Sequence, residues 1–464
     1  MKPSRPIPVS APRRNNLLPR IFAGAFGAFL GLSLLKFANP PIMEKWVSAP
    51  NGWLEFVLNS AWPISWAFCL LLPVSLLGLF VARRNPAAPR WLVALPLVWL
   101  LWEALAAANS IDAALSRATL KHFVACVICF YLGLFSLNHP RRLRLFWPGV
   151  MAGIFLVLAA GWQQHFGGLA ETRRYFFQYI YPTMTELPPG YIKKISSNRI
   201  FSTLFYPNAL AGGILLLLPA MLVLVWQSRG LFTVGARRFL VAAISMAALA
   251  CLYWSGSKGG WLLMLLLGLI ALLQLPLSKK IKAALVAAVL LAGLAGFFLK
   301  YAGFFERGAT SVSARFDYWQ AALRIVKEHP LFGTGPGTFS IPYQKIKRPE
   351  SEPARLVHND YLEQAADSGL LGMAAYTLFI VAALAWSYRE VQPSQNPNLN
   401  RNLSPPPRPD SAKMPRNWLP FAVWLGLLGW SLQEFFEFGL YIPALAWPAF
   451  TFFGWLLGRK ADGN

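Results

Sequence analysis

The chain has 464 residues, of which 56% are apolar and only 13% charged, with a formal net charge of +24 and a mean hydropathy of +0.44. Soluble domains carry roughly 25% charged residues, so a single water-soluble domain is excluded, as are disordered, collagen-like and disulfide-scaffold chains. Cys69, Cys126, Cys129 and Cys251 all lie inside apolar runs, so no loop thiol is available for a disulfide or a zinc ribbon, and the Cys126/Cys129 spacing reads as small core residues.

In chain order the apolar residues gather into twelve runs, each near the ~20 residues a helix needs to cross a bilayer. They cover 21–37, 62–82, 91–108, 118–137, 145–166, 206–226, 238–256, 261–275, 284–299, 369–386, 418–438 and 441–457. The expected fold is an all-α integral membrane protein with about 12 transmembrane helices. The first run follows Arg13, Arg14 and Arg20 as a secretory signal would. Lys36 and Phe37 stand where a cleavage site needs small residues, so an uncleaved anchor is expected.

With the N-terminus placed inside, segments 1–20, 83–90, 138–144, 227–238, 276–283, 387–417 and 458–464 hold 24 of the 43 Lys and Arg. They hold only Glu390, Asp410 and Asp462 of the 19 acids, a net of +21 against +3 for everything else. Basic turns thus fall on one side at every alternate connection, as the positive-inside rule requires. The charge excess is topology, and no nucleic-acid partner is expected. The chain divides into a basic cytoplasmic N-terminus (1–20), spans one to nine (21–299), a large periplasmic loop (300–368), spans ten to twelve (369–457) and a cytoplasmic tail (458–464). Between spans ten and eleven, 392–416 carries Pro405-Pro406-Pro407 and many Asn, the composition of a disordered linker.

Two outer loops, 167–205 and 300–368, are long enough to carry function. The second contains a helix-like stretch from Ser313 to Glu328 with Phe316, Trp319, Leu323 and Val326 on one stripe, which predicts packing on the bundle or on the membrane surface.

The same loop ends in Val357-His358-Asn359-Asp360-Tyr361-Leu362-Glu363, just before span ten. Asn359 or Asp360 suits a helix N-cap, so His358 would precede a helix N-terminus, whose dipole favours a neutral imidazole able to accept a hydroxyl proton. A purely capping histidine fits the same pattern. A metal site from His358, Asp360 and Glu363, with His329 as a more distant ligand, is a weaker reading. Arg199, Lys258 and Arg315 are cations on the outer side, where topology disfavours them. An anionic phosphate would account for them, as would lipid phosphates or pairing with Glu434 and Glu437. Gly333-Thr334-Gly335-Pro336-Gly337-Thr338 lacks the Lys and preceding strand of a Walker loop; it is a turn that could also let backbone approach a phosphate.

Taken together these pieces resemble the O-antigen ligase and polymerase family of bacterial envelope enzymes. The resemblance runs in order through Arg199-Ile200-Phe201-Ser202, Tyr206-Pro207-Asn208, Ser257-Lys258-Gly259-Gly260 and Arg315-Phe316-Asp317-Tyr318-Trp319. It continues through His329-Pro330-Leu331, the glycine turn, His358-Asn359, Asp367-Ser368-Gly369 and Glu437-Phe438-Gly439-Leu440. Lys258 replaces the family's usual Arg, and Asp367 and Glu437 exchange the usual Glu and Asp. The resemblance implies a GT-C-like fold and an inverting, metal-independent glycosyltransferase without a cofactor. Its implied donor is a glycan on a polyprenyl diphosphate such as undecaprenyl diphosphate, and its acceptor a hydroxyl of lipid A–core. The implied location is the inner membrane, among membrane lipids, with the site facing the periplasm. His358 is the implied base and Arg199, Arg315 and Lys258 the diphosphate ligands, with Asn359 and Glu437 orienting. Polymerase and protein O-oligosaccharyltransferase share these motifs. A flippase would need charges within several spans, and Glu103 is nearly alone there.

Overall fold

The computed structural model describes residues 17–58, 61–82, 86–137, 140–184, 192, 195–275, 277–306, 310–349, 351–391 and 417–459. Most of the expected N-terminal segment, the expected linker 392–416 and most of the expected tail lie outside the described residues.

Helices occupy all twelve expected runs: α1 (Leu17–Lys36), α2 (Ile64–Val81), α3 (Arg90–Ala108), α4 (Ala113–Ser136), α5 (Pro140–Gln163), α6 (Pro207–Gln227), α7 (Val234–Ser255), α8 (Lys258–Gln274) and α9 (Lys279–Glu306), then α11 (Asp360–Val391), α12 (Leu419–Gln433) and α13 (Pro443–Gly458). The loop helix α10 (Thr310–Glu328) lies between α9 and α11. Among the described residues nine helices are long and apolar enough to cross a membrane. Lys258–Gln274, Leu419–Gln433 and Pro443–Gly458, at 17, 15 and 16 residues, are shorter than that. The protein is therefore a multi-helix membrane protein with nine such helices against the twelve spans expected.

Small residues set the tightest helix pairs. Gly27 and Gly31 of α1 meet the backbone of α5 at Phe146 and Gly149, and Gly454 and Gly458 of α13 meet Phe130 and Leu134 of α4. Apolar side chains gain nothing by leaving lipid for protein, so close backbone approach and dispersion drive such pairing.

Hydrogen bonds between connections fix which ends lie together. Trp62 N–H donates to Lys36 O, Ala444 N–H to Phe37 O, Ile111 N–H to Thr334 O and Asp360 N–H to Glu434 O, all at one end of the bundle. Ala88 N–H donates to Leu457 O at the other. At that second end Arg142 donates to Val81 O and Ser136 O, and Arg237 to Trp226 O. These basic residues satisfy carbonyls left over at helix C-termini, where positive charge is also favoured by the dipole.

Three expectations change. The loop 167–205 begins helically: beyond a kink at Gly167 (φ 121°) helical turns continue to Thr183. Span ten starts nine residues early, because α11 opens at Asp360 and breaks at Gly369 (φ 73°) before its apolar stretch. In α10 Trp319 and Val326 of the expected stripe are packed, beside Tyr318, Ala321, Ala322 and Ile325, while Phe316 and Leu323 are about half exposed. Apolar character marks the lipid and the cleft wall here as well as the core, so the packed face is rotated from the expected stripe and shares half of it.

Candidate active site

The glycine turn and the break in α11 form one unit. Gly333, Gly335 and Gly337 all have positive φ (63°, 106° and 76°). That geometry aims Thr334 N–H at Ala366 O (2.9 Å), Gly335 N–H at Asp367 O (2.8 Å) and Gly337 N–H at the Asp367 Oδ2 carboxylate (2.6 Å). Leu370 N–H donates to Pro330 O (2.9 Å), and Tyr441 Oη donates to Asp367 Oδ2 (2.7 Å). The turn reading holds. These donors serve the protein's own kink, so the phosphate alternative for this run is displaced.

The upper segment of α11, fixed in this way, presents His358. Asn359 Oδ1 accepts Leu362 N–H (3.0 Å) as the N-cap, and Glu363 accepts Val357 N–H. His358 itself adopts φ 56°, a left-handed conformation that costs a non-glycine residue about 1–3 kcal/mol and persists only where its surroundings hold it. Tyr318 of α10 lies along the imidazole (centroids 5.8 Å, 29°) and Phe438 meets it edge-on (4.8 Å, 83°).

Asp360 holds the opposing loop. Its N–H donates to Glu434 O (2.9 Å) and its Oδ2 accepts Leu440 N–H (2.7 Å), so residues 434–440 are gripped at both ends. Glu437, in the middle of that loop, is thereby delivered to His358, with Oε2 3.5 Å from His358 Nδ1. Its Oε1 pairs with Arg315 Nη2 and accepts a hydrogen bond from Asn208 Nδ2. Arg315 Nε also donates to Phe436 O (3.0 Å). Arg199 Nη2 donates to Asn208 Oδ1 (2.8 Å) and its Nε to Ser255 O (2.6 Å). Burial pushes the Glu437 carboxyl up, but Arg315 first, then His358 and Arg199, more than offset it and hold it below the usual carboxylate range.

On the Arg315 side of Glu437 lies a cleft of about 230 Å³ whose lining includes Arg199, Lys258, Arg315, Asn208, Trp319 and Glu437. Three cations face one carboxylate. Lys258 opens α8 just after the Ser257 N-cap, whose Oγ accepts Gly260 N–H (3.3 Å). Burial, then the charges of Arg199 and Arg315, push its ammonium down to about 8. Burial also lowers Arg199 from its ordinary value. His358 does not line the cleft; Glu437 stands between the two.

Four expected residues, Arg199, Arg315, His358 and Glu437, are joined in one network, and Lys258 lines the same cleft. Asn359 stands beside His358 but spends its side-chain oxygen on the helix cap. Glu434 turns away from the cations, accepting the Tyr376 hydroxyl in the interior (2.8 Å). Asn208 and Tyr318 were quoted in the motifs without a role; Asn208 proves to be the link between Arg199 and Glu437. Asp360 and Glu363 use their carboxylates on backbone N–H groups, His329 is exposed, and no group of three potential metal ligands occurs among the described residues.

A family model described as O-Antigen ligase matches residues 241–377, a segment that contains Lys258, Arg315, the glycine turn, His358 and Asp367. An uncharacterized protein of Haemophilus influenzae is 30% identical over 168 residues, 31% of this chain and 41% of that protein, so the chain spans well under half of that relative's length. Residues 241–377 are thus similar to the O-antigen ligase family, over about a third of the chain.

Proposed function

We propose that the protein is an inner-membrane O-antigen ligase, an inverting and metal-independent glycosyltransferase. It takes a glycan from a polyprenyl diphosphate on the periplasmic side and joins it to a hydroxyl of lipid A–core. One observation carries this reading: Glu437 links the only imidazole of the network, His358, to a cleft lined by Arg199, Lys258 and Arg315. The match of residues 241–377 to the O-antigen ligase family model supports membrane glycosyl transfer in general.

The chemistry follows from that layout. Glu437 faces Nδ1, which favours the tautomer with its proton there and leaves Nε2 to accept the acceptor's hydroxyl proton. The acceptor oxygen attacks the anomeric carbon as the bond to the diphosphate oxygen breaks on the opposite face. The electron pair leaves with the diphosphate, where Arg199, Arg315 and Lys258 supply the stabilising charge. Glu437 stabilises the imidazolium formed at the same moment.

The test is deletion of the gene followed by analysis of surface polysaccharide, with transfer by the purified protein assayed with and without EDTA. A ligase leaves carrier-linked chains of normal length and unsubstituted lipid A–core. Single-unit chains would make the protein a polymerase, and unchanged lipopolysaccharide would remove the reading.

A further inference from the structure

The cationic cleft has a neighbour that its motifs do not mention. Tyr301, near the outer end of α9, is 6% exposed, and its hydroxyl has no hydrogen-bond partner among the described residues. Its ring is 5.3 Å from Lys258 Nζ and 5.8 Å from Lys300 Nζ, and it lies within electrostatic reach of Arg199. Lys300 donates to Tyr253 O and is likewise close enough to Arg199 for their charges to interact. Three cations, Lys258, Lys300 and Arg199, therefore lie about Tyr301, and Arg199 is tied through Asn208 to Glu437. A buried phenol O–H without an acceptor is costly to keep, and among cations an anionic oxygen is the acceptor that would fit.

We propose that Tyr301 and Lys300 complete the anion site, Tyr301 donating its O–H to a diphosphate oxygen and Lys300 adding a fourth positive charge. The site then favours a diphosphate ester over a monophosphate, because the second phosphate brings the further anionic oxygens and charge that Tyr301 and Lys300 would meet. This inference rests on the diphosphate reading of the cleft and extends it to a helix that lies outside the arginine and histidine motifs.

Tyr301→Phe separates ligand binding from structure. Removing an unpartnered hydroxyl while keeping the ring packed on Phe297 (centroids 5.1 Å) leaves the melting temperature of the ligand-free protein unchanged or raised. Binding of farnesyl diphosphate by the detergent-solubilised full chain weakens by about tenfold, the worth of one charge-assisted hydrogen bond. Farnesyl monophosphate, bound more weakly by the wild type, is affected less, and Lys300→Met narrows the same preference. Inorganic pyrophosphate, run in parallel, distinguishes a site for the free anion from one for its lipid ester. Arg199→Ala is the reference variant. If it loses farnesyl diphosphate while Tyr301→Phe binds like wild type, the Tyr301 inference falls and the diphosphate cleft stands. If wild type and Arg199→Ala bind equally poorly, both fall. A lower melting temperature for ligand-free Tyr301→Phe would give the hydroxyl an internal partner and also overturn the inference.

Discussion

Glu437 Oε2 lies 3.5 Å from His358 Nδ1 while the other oxygen of the same carboxylate is taken by Arg315 and Asn208. One buried acid thus touches both the proposed base and the proposed diphosphate ligand. His358→Ala is expected to lower transfer by about 10²–10⁴, the usual contribution of a general base. Donor binding stays near wild type, since the imidazole serves the acceptor hydroxyl and Glu437 stands between it and Arg315. Turnover and farnesyl diphosphate affinity, measured side by side on a variant that melts normally, check this. A folded His358→Ala enzyme with near-normal transfer would reduce His358 to a packing residue between Tyr318 and Phe438.

Glu437→Gln is expected to act on both sides, in opposite directions. It removes the counter-charge that aligns the imidazole and leaves Arg315 without its ion-pair partner. Turnover should fall, and the retained Arg315 charge, released from its partner, should keep or strengthen donor binding. A fall in turnover with donor affinity lowered in proportion would instead mean that Glu437 serves only to hold Arg315 in place.

Much of this network was legible in the sequence, for a definite reason. The positive-inside count singles out Arg199, Lys258 and Arg315 as cations that need a partner, and His358 precedes a cap sequence; charge and capping are local rules. The partners were not legible. Nothing local says that Asn208 reaches Glu437 across 229 positions, or that the glycine turn wraps Asp367 some 30 positions downstream. Tyr301 was invisible because an aromatic residue in an apolar helix reads as packing. The stripe of α10 is half right: Trp319 and Val326 pack, but Phe316 lines the cleft and stays half exposed, so its apolar side chain does not mark the packed face.

Arg315→Lys tests the fork. The guanidinium reaches Phe436 O through Nε and Glu437 through Nη2 at once, and an ammonium cannot reproduce that pair of directions. Arg315→Ala should weaken donor binding and turnover and lower the melting temperature, since a buried carboxylate loses its partner. Arg315→Lys should recover the melt more fully than the turnover. Full recovery of turnover by Lys would reduce Arg315 to a point charge.

Gly333→Ala tests the clamp. At φ 63° an added Cβ would meet the backbone of Ala366 and Asp367, so something must shift where packing is tight. The cost is about 1–3 kcal/mol in backbone strain alone, read as a clear drop in melting temperature and a parallel loss of transfer as His358 is released. A variant that melts like wild type would show that the turn is not what fixes the break in α11.

Lys258 supplies the pH dependence. With its ammonium pushed down to about 8 by burial, Arg199 and Arg315, the residue is charged below that value and neutral above it. A bound diphosphate favours the charged form, so donor affinity should be greatest below pH 8 and decline as the pH rises through 8 and beyond. The sign is that of a proton taken up on binding: titrations at pH 8.5 in two buffers of different ionisation enthalpy should reveal uptake. Lys258→Arg keeps its charge throughout this range, so its affinity should hold level from pH 7 to 9 and the proton uptake should vanish. The substitution also supplies a planar fork, so affinity at pH 9 should exceed that of the wild type. A wild-type affinity that is flat from pH 7 to 9 would mean that Lys258 does not touch the diphosphate, and the cleft would then work through Arg199 and Arg315.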